Sequence, residues 1–179
     1  MKNTPHLVKT SVDSPLGPLW LAASPQGLAG VWFTDQRHLP AHERIASWPD
    51  DPSHPLLQAA AQQLDIYFQG RLRAFDLPLD LSAGTLFQQS VWRALIGIPN
   101  GQTRRYGELA CQIGRPAAVR AVGTAIGRNP LSIVVPCHRV VGADGSLTGY
   151  AGGLDRKAAL LELECGERLF APLFPCHPP

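Results

Sequence analysis

The hydrophobic pattern of this chain changes period near residue 85. Before that point the apolar runs are short and bounded by turn residues. "GPLWLAAS", "PQG" and "LAGVWF" read as two strands around a Pro/Gly turn, which predicts a β-hairpin. Residues 56–70, "LLQAAAQQLDIYFQG", place Leu57, Ala60, Ala61, Leu64 and Phe68 on one helical face, with Gly70 as the stop. "RLRAFDLPLDL" (71–81) reads as an extended connection, and "LSAG" marks a boundary near 80–86. The reading divides the chain into an α/β N-terminal domain (1–84), a mainly α C-terminal domain (85–170) and a Pro-rich tail (171–179).

After the boundary the period becomes helical. "LFQQSVWRALIGI" (86–98) carries Phe87, Val91, Leu95 and Ile98 on one face. "YGELACQIG" (106–114) predicts a short helix, and Pro116 suits the first turn of the next, "AAVRAVGTAIG" (117–127). Two short helices around a tight Gly-containing turn read as a helix-turn-helix or as a plain helical hairpin. The second helix favours the former, because it is made of small residues around one long cation, Arg120. "LSIVV" (131–135) then reads as a buried strand and "VVGADGSL" as a hairpin or wing. "TGYAGG" reads as a flexible loop, and "DRKAALLELE" (155–164) as a closing helix.

Composition narrows the class. With 179 residues, 45% of them hydrophobic, the chain can bury a real core. No run of 18 apolar residues exists, and "MKNTPHLVKTSVDSP" lacks a signal core, so a cytoplasmic protein is expected. The four cysteines, Cys111, Cys137, Cys165 and Cys176, show no CxxC spacing. Neither a metal site nor a disulfide framework is expected. Charge is uneven: residues 1–85 hold 6 Lys+Arg against 8 Asp+Glu, and residues 86–179 hold 10 against 6. An arginine-rich C-terminal half suits a polyanion, because the guanidinium fork can bind two phosphate oxygens.

The chemistry concentrates in "IVVPCHRVVG" (133–142). A cysteine attacks as its thiolate, and a free thiol with pKa about 8.5 needs help to ionise at neutral pH. His138 is the neighbouring base. Successive side chains on an extended chain point to opposite sides, so a direct Cys137–His138 contact is awkward. Either Pro136 kinks the backbone or a water bridges the two groups. A base also needs an orienting carboxylate, for which Glu164 is available.

These residues resemble the O6-alkylguanine-DNA alkyltransferases, also called methylated-DNA–protein-cysteine methyltransferases. The resemblance runs through "SPLGPLWL", "YFQG", "FQQSVW", "YGELA", "AVRAVGTAIGRNP", "PCHRVVG", "GYAGG" and "RKAALLELE", most of residues 12–170. It implies a ribonuclease H-like first domain, a small sheet with helices, followed by a winged helix-turn-helix domain. It also implies one irreversible transfer, per molecule, of the alkyl group from O6-alkylguanine (and O4-alkylthymine) in DNA. Cys137 matches the acceptor, His138 the residue that deprotonates it through a water, and Glu164 the carboxylate that holds this histidine. Tyr106 matches the tyrosine that rotates the target phosphate and gives a proton to the departing base. Arg120 matches the finger that fills the gap of an extruded nucleotide, and Ala117, Ala118, Gly123 and Arg128 accompany it on the DNA-binding side. Asn129 matches a hinge asparagine. Val140, Tyr150, Ala151, Gly152 and Lys157 match the substrate pocket. The implied partner is double-stranded DNA carrying O6-alkylguanine, flipped out for reaction. No cofactor, obligate protein partner or membrane is implied, and the protein is expected to be a monomer.

The chain also departs from the family. Residues 1–85 contain no Cys, so the zinc site of some relatives is absent. Arg105 stands where many relatives have a small or hydroxyl residue, and reads equally as a phosphate contact or a solvated charge. Ser132 near the pocket leaves tolerance of bulky alkyl groups open, and Cys111 is expected in the core. Three other classes have their own requirements. A Cys–His hydrolase would need an oxyanion hole and repeated turnover. A non-enzymatic lesion-binding protein of the alkyltransferase-like kind would lack the acceptor cysteine. A bifunctional transcription regulator would need a further metal-binding domain.

Overall fold

A computed structural model describes residues 6–166; the expected Pro-rich tail, with Cys176, lies outside the described residues. Three strands, β1 (Val8–Val12), β2 (Leu19–Ser24) and β3 (Gly27–Phe33), form an antiparallel sheet in the order β1-β2-β3. The predicted hairpin is β2–β3, turning between Ser24 and Gly27. Both edges of this sheet are covered, so it presents no open ladder. Lys9 on β1 exchanges backbone hydrogen bonds with Pro49 and Asp51. On β3, Leu28 is bonded by Pro78 and Asp80, and Val31 by Pro130 and Ser132. The last pair comes from the C-terminal half.

After the short helix α1 (His42–Ala46), α2 (Pro55–Phe68) packs on the sheet. It buries Leu57, Ala60, Leu64 and Tyr67, whereas Ala61 and Phe68 are only half-buried. The apolar face is therefore rotated from the expected one, towards Tyr67. Helix α3 (Leu86–Ile96) starts at a capping box in which Thr85 and Gln88 satisfy each other's backbone N–H groups. The two-residue strand β4 (Arg104–Arg105) leads into α4 (Tyr106–Gln112). Gly114, at φ 69°, reverses the chain, and a 3₁₀ turn (Pro116–Ala118) opens α5 (Val119–Gly127). Trp92 of α3 donates from Nε1 to the Ala125 carbonyl at 2.8 Å and fastens α3 to α5. Strand β5 (Val140–Val141) and helix α6 (Leu154–Glu164) complete the fold. Among the described residues no helix is long and apolar enough to cross a membrane.

One core runs through both halves, from Leu21, Val31 and Leu64 to Leu95, Ile126, Leu131 and Leu160. Three local expectations change. Residues 131–135 are buried but are not a strand, because the Asn129 side chain takes backbone groups that a ladder would use. The wing segment makes its turn, closed from Gly142 N to the Ser146 carbonyl, but no strand ladder extends from it, and β5 instead lies parallel to β4. Cys111 is exposed, because α4 buries the face of Leu109 and Ala110 and turns Cys111 to the other side.

Candidate active site

The segment from Asn129 to Arg139 is a chain of tight turns built on one amide. Asn129 Nδ2 donates to the Val135 carbonyl at 2.8 Å and to the Leu131 carbonyl at 3.3 Å, and Oδ1 accepts from Leu131 N at 3.0 Å. Between them Val134 N bonds back to the Ser132 carbonyl at 2.8 Å across Ile133, whose φ is 71°. This is a γ-turn on a β-branched residue, a strained conformation that surrounding contacts must hold. A second such turn, of the inverse kind, closes at Pro136 (φ −80°, ψ 64°) with Cys137 N on the Val135 carbonyl at 2.8 Å. The expected kink is thus present, and the 3₁₀ turn Cys137–Arg139 sends both the thiol (4% exposed) and the imidazole (0%) into the interior.

Cys137 Sγ accepts from Asn129 Nδ2 at 3.2 Å. Burial pushes the thiol pKa up, while Asn129 and the charge of Lys157 oppose that shift. The thiol is therefore protonated at neutral pH and needs a base to become a nucleophile. His138 Nε2 lies 2.8 Å from Glu164 Oε1, and Nδ1 is buried with no hydrogen bond to the protein. Burial lowers the His138 pKa against the pull of Glu164, so the ring is neutral at pH 7. With an ionised carboxylate on Nε2, the proton resides there and the Nδ1 lone pair is the available base. Burial opposes ionisation of Glu164, but hydrogen bonds from His138 and Arg139 outweigh it and hold the carboxyl well below the usual carboxylate range.

Two partners of Glu164 escape a reading of the motif. Arg139 grips both oxygens, with Nε on Oε2 and Nη2 on Oε1, each at 2.8 Å, and Nη1 holds the Ile98 carbonyl at 2.5 Å. Tyr67 of α2 donates to Oε1 at 2.7 Å from the other half of the chain. The motif contains Arg139 but nothing that assigns it this fork. Tyr67 sits inside "YFQG", where its hydroxyl was hidden among apolar neighbours.

The segment from Val140 to Lys157 is equally cross-braced. Lys157, fully buried, donates to the carbonyls of Val140 and Thr148, and burial lowers its pKa to about 8. Tyr150 is buried with its ring edge-on to His138, centroids 6.5 Å apart, and its hydroxyl has no protein partner. Burial, followed by the Cys137 charge, raises its pKa well above 10.0. Gly152 lies where a Cβ would meet the Tyr150 ring at 2.8 Å and Phe33 at 3.1 Å, so only glycine fits. The Ala151 carbonyl accepts from Arg37 N at 3.0 Å. Arg156 forks onto Asp35 at 2.8 and 3.2 Å and reaches the carbonyls of Leu16 and Gly152. Ser132 points to Gln36, Oγ to Oε1 at 3.0 Å, rather than being left to shape the pocket alone.

Cys137, His138, Glu164, Asn129, Tyr150, Lys157 and Val140 are thus brought together around one thiol. Tyr106, at the start of α4, donates to the Thr148 carbonyl at 3.2 Å and lies at the rim of the 148–152 loop. Its ring passes 3.7 Å from the position a Cβ would take on Gly123. Ala117, Arg120 and Arg128 are exposed around α5 and Ala118 is half-buried. Arg105 is exposed, and its N–H is capped by Glu108 at 2.6 Å.

A buried cysteine served by a His–Glu pair, seated behind a helix-turn-helix, defines a thiol-nucleophile protein of two joined units. The comparisons give the family. Residues 7–81 match the family described as "6-O-methylguanine DNA methyltransferase, ribonuclease-like domain", and residues 86–166 match its "DNA binding domain". The methylated-DNA–protein-cysteine methyltransferase of Mycobacterium tuberculosis is 53% identical over 154 residues, covering 86% of this chain and 90% of its own. That of Methanosarcina barkeri is 49% identical over 156 residues, covering 86% and 94%. The crystal structure of Mycobacterium tuberculosis OGT in complex with DNA superposes with a TM-score of 0.79 at 52% identity, covering 88% of this chain and 92% of that one. The chain belongs to the methylated-DNA–protein-cysteine methyltransferase family.

Proposed function

We propose that this chain repairs double-stranded DNA by taking the alkyl group of O6-alkylguanine onto Sγ of Cys137, once per molecule. The observation that carries the assignment to residues is the division of labour on His138. Nε2 is committed to Glu164, Nδ1 is left as a buried base, and the thiol beside it is held neutral by burial. A water relays the Cys137 proton to Nδ1. The thiolate attacks the alkyl carbon in line, the S–C bond forms and the C–O6 bond breaks. The departing guanine takes up a proton from Tyr106, and the thioether remains on the protein.

The rest of the chain fits this task. A lesion inside a duplex is out of reach, so the nucleotide is flipped into the pocket of Tyr150, Ala151, Gly152 and Lys157, under the hinge of Asn129. Arg120 fills the vacated stack. Ala117, Ala118 and Gly123 allow close approach of α5 to the groove, and Arg128 adds a phosphate contact. Recognition by phosphate and shape accepts any surrounding sequence. A relative crystallised with DNA supports this partner. We place the protein in the cytoplasm as a monomer, with residues 1–84 and 85–170 as its two domains.

The test is restoration of a restriction site blocked by O6-methylguanine. Stoichiometric protein makes the duplex cleavable, and Cys137→Ala does not. A wild-type protein that leaves the site blocked overturns the assignment.

A further inference from the structure

We propose that Tyr67 is a positioning residue of the proton relay, supplied by the first domain and acting on Cys137 through Glu164 and His138. The proposal rests on the reading of Cys137 as acceptor and His138 as its base. Tyr67 is 2% exposed, and its hydroxyl is 2.7 Å from Glu164 Oε1. The same oxygen is 2.8 Å from His138 Nε2 and 2.8 Å from Arg139 Nη2. An ionised carboxylate only accepts, so the phenol must donate. Burial, with the charge of Glu164 beside it, keeps the phenol protonated. Its ring is fixed by Phe68 and Phe75, at centroid distances of 5.5 and 5.4 Å. Among the described residues no other side chain of residues 6–85 hydrogen-bonds Glu164.

The arrangement exceeds what burial of a carboxylate needs. Arg139 already engages both oxygens, and Gly101 N approaches Oε2 at 3.4 Å. The phenol is an additional donor placed on the one oxygen that faces the base. It has two effects. It fixes the carboxylate rotamer, and hence the plane of the imidazole. It also draws part of the Oε1 charge away from His138, which keeps the ring from holding a proton too tightly. The other charged and titratable groups facing His138 are Arg139 and Cys137 from its own turn, Lys157 and Glu164 from α6, and Tyr150 from the pocket loop. Of these, only Glu164 touches the Tyr67 hydroxyl, so a change in His138 on its removal passes through that carboxylate.

The experiment is single-turnover methyl transfer against pH, with the full chain and a duplex carrying one O6-methylguanine. Tyr67→Phe keeps the ring and loses only the hydroxyl. Its rate at pH 7 is expected to fall roughly threefold to tenfold, a fraction of the 10²–10⁴ that a positioned general base supplies. The acid limb of the profile moves to higher pH, and DNA affinity is unchanged. A Tyr67→Phe protein with the wild-type rate and profile overturns the proposal. So does one that is slower with an unmoved acid limb, which marks a merely structural residue. A wild type that transfers no methyl overturns the underlying reading of Cys137 as well.

Discussion

Asn129 Nδ2 lies 3.2 Å from Sγ of Cys137 while the same amide closes the loop that carries the cysteine, through Leu131 and Val135. One side chain thus sets both the backbone of the active-site turn and the donor that meets the thiolate. The strain at Ile133 is held by this bracing.

Replacing Asn129 separates the two roles. Asn129→Ala leaves buried backbone groups without partners, at about 1–3 kcal/mol each, and the melting temperature falls by several degrees. Asn129→Asp retains an acceptor for Leu131 N but sets a carboxylate against the sulfur and loses the donor. It is expected to slow methyl transfer more than it weakens DNA binding. Calorimetry alongside single-turnover rates distinguishes the two variants.

The pH dependence follows from His138. Its folded-state pKa is lowered by burial, below 6.5, so the relay is intact at pH 7 and transfer slows only as pH falls through that lowered value. Stability carries the same sign. Between the folded pKa and 6.5 the unfolded chain binds the proton that the folded protein excludes, so stability falls on acidification below about 6.5. His138→Gln should flatten both trends. A transfer rate that already declines between pH 8 and pH 7.5 would contradict a lowered histidine.

How far the site could be read from the chain depends on sequence distance. The Cys137–His138 pair, the Asn129 brace and the α4–α5 motif are local, and periodicity and family motifs reach them. Glu164 is a candidate from the need of the base for a carboxylate, and spacing alone does not place it; Arg139, which forks onto it, is in the motif without any sign of its role. Tyr67–Glu164 spans 97 positions and Gln36–Ser132 spans 96, and no local pattern senses either. Residues 131–135 misread as a strand for a related reason. Their apolar composition reports burial, but a side-chain amide supplies the hydrogen bonds that a neighbouring strand would have supplied. On α2 the polar oxygen of Tyr67 masked the true centre of the buried face.

Gln36 is the second strut from the first domain. Its Oε1 accepts from Phe33 N and from Ser132 Oγ, both at 3.0 Å. Gln36→Leu strands two buried donors and should cost about 1–3 kcal/mol for each. The active-site turn then loosens, and methyl transfer slows more than binding to undamaged duplex. Equal stability to the wild type in a urea titration would show that the strut is idle.

Gly152 tests the tightness of the pocket. A methyl group there overlaps the Tyr150 ring and crowds Phe33. Gly152→Ala should cost about 1–3 kcal/mol by overpacking and displace Tyr150 from beside His138. Transfer is expected to fall sharply with little change in affinity for undamaged DNA, by fluorescence anisotropy. Unaltered transfer by this variant would remove Tyr150 from the pocket.

Stoichiometric transfer to one thiol is read out by intact-mass spectrometry after incubation with excess duplex carrying a single O6-methylguanine. A gain of one methyl group per chain is expected, saturating there, located on the peptide of Cys137 and absent in Cys137→Ala. A chain that stays unmodified while the lesion disappears, or that carries its methyl on Cys111 or Cys165, would contradict it.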